Sequence, residues 1–113
     1  MTSTTPTPST IEASESATGL RVRLSGEIDA SLRPQASAVV SQVLARHDGI
    51  VVDASAVTFV DSSGMGFVLQ LFGIGEQEGR DVVLLDPPTV VLDLLELVGV
   101  RDRVAVAYSA GAR

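Results

Sequence analysis

The chain contains no cysteine, no lysine and no tryptophan in its 113 residues. Without cysteine it has no disulfides, no thiolate metal ligands and no cysteine nucleophile, a composition that fits the cytosol. Without lysine, all eight basic residues are arginines, set against 14 carboxylates for a net charge of −6. An acidic surface repels phosphate backbones and anionic lipid heads alike. With aromatics at only 4%, no basic face interleaved with aromatic side chains is available to bind DNA or RNA. The single histidine, His47, has no second histidine or cysteine to share a metal with, and its position suits a solvated residue near a helix C-terminus. No apolar run reaches the roughly 18 residues needed to cross a membrane. The stretch from Met1 to Thr10 lacks the basic and apolar regions of a secretory signal. The expectation is a cytoplasmic protein without a metal site or cofactor.

What is present is aliphatic. Hydrophobic residues make up 45% of the chain, so the core has to be built from Val, Leu, Ile and Ala, in one small domain. Residues 1–9 are rich in Thr, Ser and Pro and read as a disordered tail. Residues 10–108 read as the domain and 109–113 as a frayed end. Ile11 to Ser14 alternates weakly, as an edge strand does; Leu20-Arg21-Val22-Arg23-Leu24 alternates cleanly, with both arginines on the wet face. Ser25 to Asp29 reads as the turn that ends this strand. Leu32, Ala36, Val39, Val40, Val43 and Leu44 recur at helical spacing, predicting a helix to about Arg46 with Asp29 or Ser31 as its cap and Pro34 in its first turn. Ile50 to Asp53 reads as a buried parallel strand, followed by a second apolar stretch, Val57 to Val60. Met65, Val68, Leu69 and Phe72 mark one face of a second helix. Val82 to Leu85 is another strand, Pro87-Pro88 begins a helix that stops near Gly99, and Val104 to Ala107 is a last edge strand. Strands alternating with helices predict an α/β domain with a small, mostly parallel mixed sheet and helical crossovers. In such folds, functional surfaces gather where strand C-termini meet helix N-termini.

Two acidic turns fall at such ends: Gly26 to Asp29, and Asp61-Ser62-Ser63-Gly64. A serine at a helix start either caps the helix or presents its hydroxyl to a kinase, and the helix N-terminus tolerates the phosphate that follows. Serine catalysis would need a base, and the chain offers no lysine, no cysteine and no G-x-S-x-G elbow. Gly64-Met65-Gly66 and Gly73-Ile74-Gly75 are too short for a phosphate loop and lack its lysine. Enzymatic activity is therefore not expected, and on chemistry alone both the cap and the phosphoacceptor remain open.

The longer pattern resembles STAS domains, specifically bacterial anti-sigma factor antagonists. The resemblance is carried by Leu24-Ser25-Gly26-Glu27-Ile28-Asp29, by Val52-Asp53, by Val57-Thr58-Phe59-Val60-Asp61-Ser62-Ser63-Gly64-Met65-Gly66 and by Leu94-Leu95-Glu96-Leu97-Val98-Gly99-Val100. It implies that Ser62, at the start of the helix, takes the regulatory phosphate from an anti-sigma factor that is itself a serine kinase using ATP, and that a serine phosphatase resets the switch. The unphosphorylated form would bind the anti-sigma factor and free the sigma factor. Partner contact is carried by the same resemblance onto Glu27, Asp29, Asp61, Ser63, Gly64, Met65 and Gly66. A non-phosphorylated scaffold subunit of a transporter or signalling complex is the alternative within the family. One departure stands out: Val68 to Gly75 is apolar where the family's helix becomes polar and basic. This points either to a homodimer or partner interface, or to tighter packing on the sheet.

Overall fold

Alternation along Gly19–Ile28 places Leu20, Val22, Leu24 and Ile28 on one face of a strand, all buried, with Arg23 and Glu27 exposed on the other. This strand, β2, is the second of five in a computed structural model that describes residues 8–109. The preceding strand, β1 (Thr10–Ser16), runs antiparallel to it and sets Ile11 opposite Leu24. The following strands, β3 (Gly49–Val60), β4 (Val82–Leu85) and β5 (Val106–Ala107), are parallel to β2 and to one another. The sheet order is β1-β2-β3-β4-β5. The crossovers are α1 (Arg33–Leu44), α2 (Ser62–Glu78) and α3 (Thr89–Leu97). The expected tail lies outside the described residues except for Pro8 and Ser9, and so does the frayed end beyond Ser109.

Two strands run further than their polar residues suggested. The turn expected at Ser25 to Asp29 is strand as far as Ile28, because β3 extends alongside it and pairs Glu27 with Phe59 and Ile28 with Val60. The two apolar stretches 50–53 and 57–60 are one strand of 12 residues. Its pairing with β2 slips twice: Arg23 faces Asp53 but Ser25 faces Ala56, and Gly26 faces Val57 but Glu27 faces Phe59. Each slip inserts one extra residue into β3, as a β-bulge does. The bulges let Ala54, Val57 and Val60 all turn inward at a spacing of three, where a regular strand would alternate by two.

α1 and α2 cover the face of the sheet that carries Ile11 and Ile28. Val39 and Val43 of α1 and Met65, Phe67, Val68 and Leu71 of α2 complete that core. α1 stops at Leu44, short of Arg46, and Leu44 is exposed rather than on the buried stripe. Buried Arg80 ties the helix end to the loop after it: Nη1 donates to Val43 O of α1 at 2.9 Å and Nε to Asp48 O at 2.7 Å. The buried face of α2 is centred on Phe67 and Leu71 rather than on Leu69 and Phe72, which are only half-buried. Two of its glycines are required by contact. A Cβ on Gly64 would overlap Ile28 O, and one on Gly75 would overlap Val82 Cγ2. The helix therefore sits closer to the sheet than any side chain there would allow, and its apolar excess goes into that packing. α3 begins after Pro87-Pro88 and ends before Gly99, which takes a left-handed φ of +80°.

Candidate functional site

The ends of β2 and β3 deliver two aspartates to two helix starts. Asp29, in extended conformation, caps the 3-10 turn Ala30–Leu32 that leads into α1: its Oδ1 accepts the Ser31 N–H at 3.0 Å. Asp61, also extended, caps α2: its Oδ1 accepts the Gly64 N–H at 3.0 Å. The aspartates therefore do the capping, and neither Ser31 nor Ser62 is a cap. Ser62 is the first helical residue, exposed, and its hydroxyl has no hydrogen-bond partner among the described residues. The Ser62 and Ser63 N–H groups likewise meet no acceptor among these residues. This is the usual condition of a helix's first turn, and it leaves donors and the positive end of the helix dipole facing outward beside the free hydroxyl.

The turn is held rigidly to β2. The Asp61 N–H donates to Ile28 O at 3.3 Å, Met65 N–H donates to Asp61 O at 2.9 Å, and Gly64 packs against Ile28. This pinning brings the two acidic turns together, so that Asp29, Ser63 and Gly64 line one cleft of about 480 Å³ between α1 and α2. Glu27 is exposed at the same end, paired in register with Phe59, an aromatic that is 47% exposed. The hydroxyl and backbone N–H of Ser31 hold the Asp29 carboxyl below the usual carboxylate range, against a smaller opposing effect of desolvation. That negative charge is fixed.

Not every residue assigned to partner contact reaches the surface. Glu27, Ser63 and Gly66 are exposed and Asp29 and Asp61 half-exposed, but Gly64 and Met65 are buried. Met65 is a core residue at helical spacing from Val68, and it cannot present its side chain to a partner. Conversely, the sequence reading missed Phe59, Arg33 and Ala36. Phe59 lay inside a strand pattern that looked wholly apolar, and only the second bulge turns it outward. Arg33 and Ala36 reach the cleft because α1 runs past the Asp61–Gly64 turn, a tertiary placement with no local signal. Among the described residues, no three His, Cys, Asp or Glu side chains come together to hold a metal ion. Nor, among the described residues, is any helix long and apolar enough to cross a membrane.

Solved structures share this architecture. SpoIIAA, an anti-sigma factor antagonist in its unphosphorylated form, matches with a TM-score of 0.71 at 24% identity, covering 88% of this chain and 89% of that one. A serine-to-glutamate variant of RsbS from Moorella thermoacetica matches with a TM-score of 0.75 at 20% identity, covering 88% and 86%. The phosphorylated form of SpoIIAA, a Bacillus cell fate determinant, gives 0.68 at 23% identity, covering 88% and 92%. At these identities the likeness is one of fold. No curated protein matches significantly. The family model described as "Mlab, STAS domain" matches residues 11–106, from the second residue of β1 to the first of β5. The chain belongs to the STAS domain family.

Proposed function

We propose that this protein is an anti-sigma factor antagonist of the cytoplasm, switched by phosphorylation of Ser62. The observation that carries this reading is the division of labour at the start of α2: Asp61 makes the capping bond, and the Ser62 hydroxyl is left exposed and unbonded. A serine that capped the helix would have to give up that bond to be phosphorylated; Ser62 gives up none. A phosphate there adds a charge of about −1.5 to −2 close to unpaired N–H groups and a helix N-terminus, which favour it, so the fold survives modification. Any partner seated over Asp29, Asp61 and Ser63 would meet that new charge directly. Like charges brought together in an interface cost several kcal/mol, and each 1.4 kcal/mol is tenfold in affinity.

The partner is a serine-kinase anti-sigma factor, which supplies the ATP and the phosphoryl-transfer chemistry; this chain supplies the acceptor. A serine phosphatase restores the binding form. The test incubates the protein with ATP and the kinase-type anti-sigma factor of its own genome, then maps phosphate by mass spectrometry. Phosphate is expected on Ser62, with none on Ser63 or the amino-terminal threonines. Ser62→Ala should bind the anti-sigma factor persistently and Ser62→Asp at least tenfold more weakly. Wild-type binding by both variants would favour an unphosphorylated scaffold instead.

A further inference from the structure

The phosphate switch leaves one feature of this surface without a use: the cleft of about 480 Å³ between α1 and α2. It opens to the surface beside the switch turn, where Arg33, Ser37, Ser63 and Gln70 are exposed at its rim. Its floor is formed by Ile11, Ile28, Leu32 and Phe67, each no more than 6% exposed. Ala36 and Val40 of α1, both half-buried, add apolar wall above that floor, so the cleft can receive an apolar side chain. The walls carry charge. Asp29 stands on the switch side with Ser63, and Arg33 on α1; neither forms an ion pair among the described residues. Glu27, at the same end, is likewise without a cation.

We infer that the cleft is a second anchoring site for the anti-sigma factor, accepting one apolar side chain with a basic residue beside it directed at Asp29. The inference rests on the functional reading above and adds to it: α1 becomes the second wall of the interface, with Ala36 and Arg33 part of the binding surface. A partner anchored between α1 and α2 is held across Ser63, next to the phosphorylated residue. The added charge then acts on an interface already fixed in register, rather than on a loose encounter.

The experiment uses three variants of the full chain and the nucleotide-loaded anti-sigma factor kinase of the same genome, titrated by calorimetry, with a thermal melt of each variant. Ala36→Phe fills the cleft from α1. Gln42→Phe places the same bulk on the exposed side of that helix, outside the cleft. Asp29→Asn removes the wall charge. Expected are at least a tenfold loss of affinity for Ala36→Phe, less than threefold for Gln42→Phe, and for Asp29→Asn a loss accompanied by a shallower dependence on salt. If Ala36→Phe does not fold, Ser37→Leu, at an exposed cleft-lining position, carries the same expectation. Wild-type affinity in the cleft-filling variant, or equal losses in both phenylalanine variants, overturns the cleft as an anchor and leaves the Ser62 switch standing. Unchanged affinity and salt dependence in Asp29→Asn overturns the basic neighbour. Wild-type protein that binds no such kinase overturns the functional reading, and this inference with it.

Discussion

Asp61 and Ser62 are adjacent, and their roles separate by stability measurements as well as by binding. Asp61 makes a capping bond to Gly64 N–H, so Asp61→Ala should cost about 1 kcal/mol. For a domain of this size that lowers Tm by roughly 4 °C. Ser62→Ala removes no bond and should stay within about 0.5 kcal/mol of wild type. A thermal scan of both variants checks this; equal destabilisation would mean that the serine shares the cap. A second single residue sets the acid limit of the fold. Asp53 is 4% exposed. Burial would raise its carboxyl, but the Ser55 N–H and hydroxyl and the Arg21 guanidinium, at 2.7 Å, outweigh it and hold it below the usual range. A carboxylate with a depressed folded pKa contributes stability above its unfolded value of about 3.9, and that contribution is lost as pH falls through the folded value. Wild type should therefore lose more stability between pH 5 and pH 3 than Asp53→Asn does, measured by urea melts across that window. At neutral pH, removing the side chain in Asp53→Ala should cost about 2 kcal/mol, typical of hydrogen bonds to a charged group left unmade.

Among the elements, α2 shows where local reading stops. Its end, at Gly79 in left-handed conformation with φ +67°, was not marked out, but its start was legible, with Asp61 before it and apolar residues at helical spacing after. Its glycines were not. Read locally, Gly73 and Gly75 each weaken the helix by about 1 kcal/mol relative to alanine. The sheet separates them: a Cβ on Gly73 meets nothing within 4 Å, while one on Gly75 overlaps Val82 Cγ2 and crowds Arg80 O. Gly73→Ala should then stabilise by up to about 1 kcal/mol, and Gly75→Ala should destabilise by about 1–3 kcal/mol because the helix must move off the sheet. Chemical denaturation of the pair checks the difference in sign. The same limit hid the shape of β3. Asp53 and Ser55 looked like a break between two apolar stretches, because nothing in a period of two announces a bulge. Their polarity is instead used on the far face of the sheet, where Asp53 holds Arg21 and Ser55. The order of strands and helices was readable because each has its own period. What that reading missed depended on how two elements approach each other.

At the scale of the whole molecule, the apolar run from Val68 to Gly75 left a homodimer or partner interface and tight packing as alternatives, and the distribution of exposed side chains favours packing. The large hydrophobics most open to solvent are Leu44, Phe59, Leu97, Val98 and Tyr108, and none of them lies in α2. Apart from Leu97 and Val98, adjacent at the end of α3, they sit at the ends of different elements and form no broad patch on one helix of the kind that drives association. The sheet edges are poor templates too. β1 carries Glu12 and Glu15, both exposed, and β5 pairs over only two residues; charge and shortness are the common protections of an edge strand. A net charge of −6 adds mutual repulsion between copies, and a phosphate on Ser62 would deepen it. The protein should therefore be monomeric by light scattering at about 100 μM in 0.15 M salt, where surface charges beyond about 8 Å are screened. It should remain so in 0.5 M salt, because repulsion reinforces the monomer but does not create it. A dimer that appears only at high salt would show that an apolar face is present and merely held apart by charge. Phe59, 47% exposed beside the start of α2, would then be the first residue to replace.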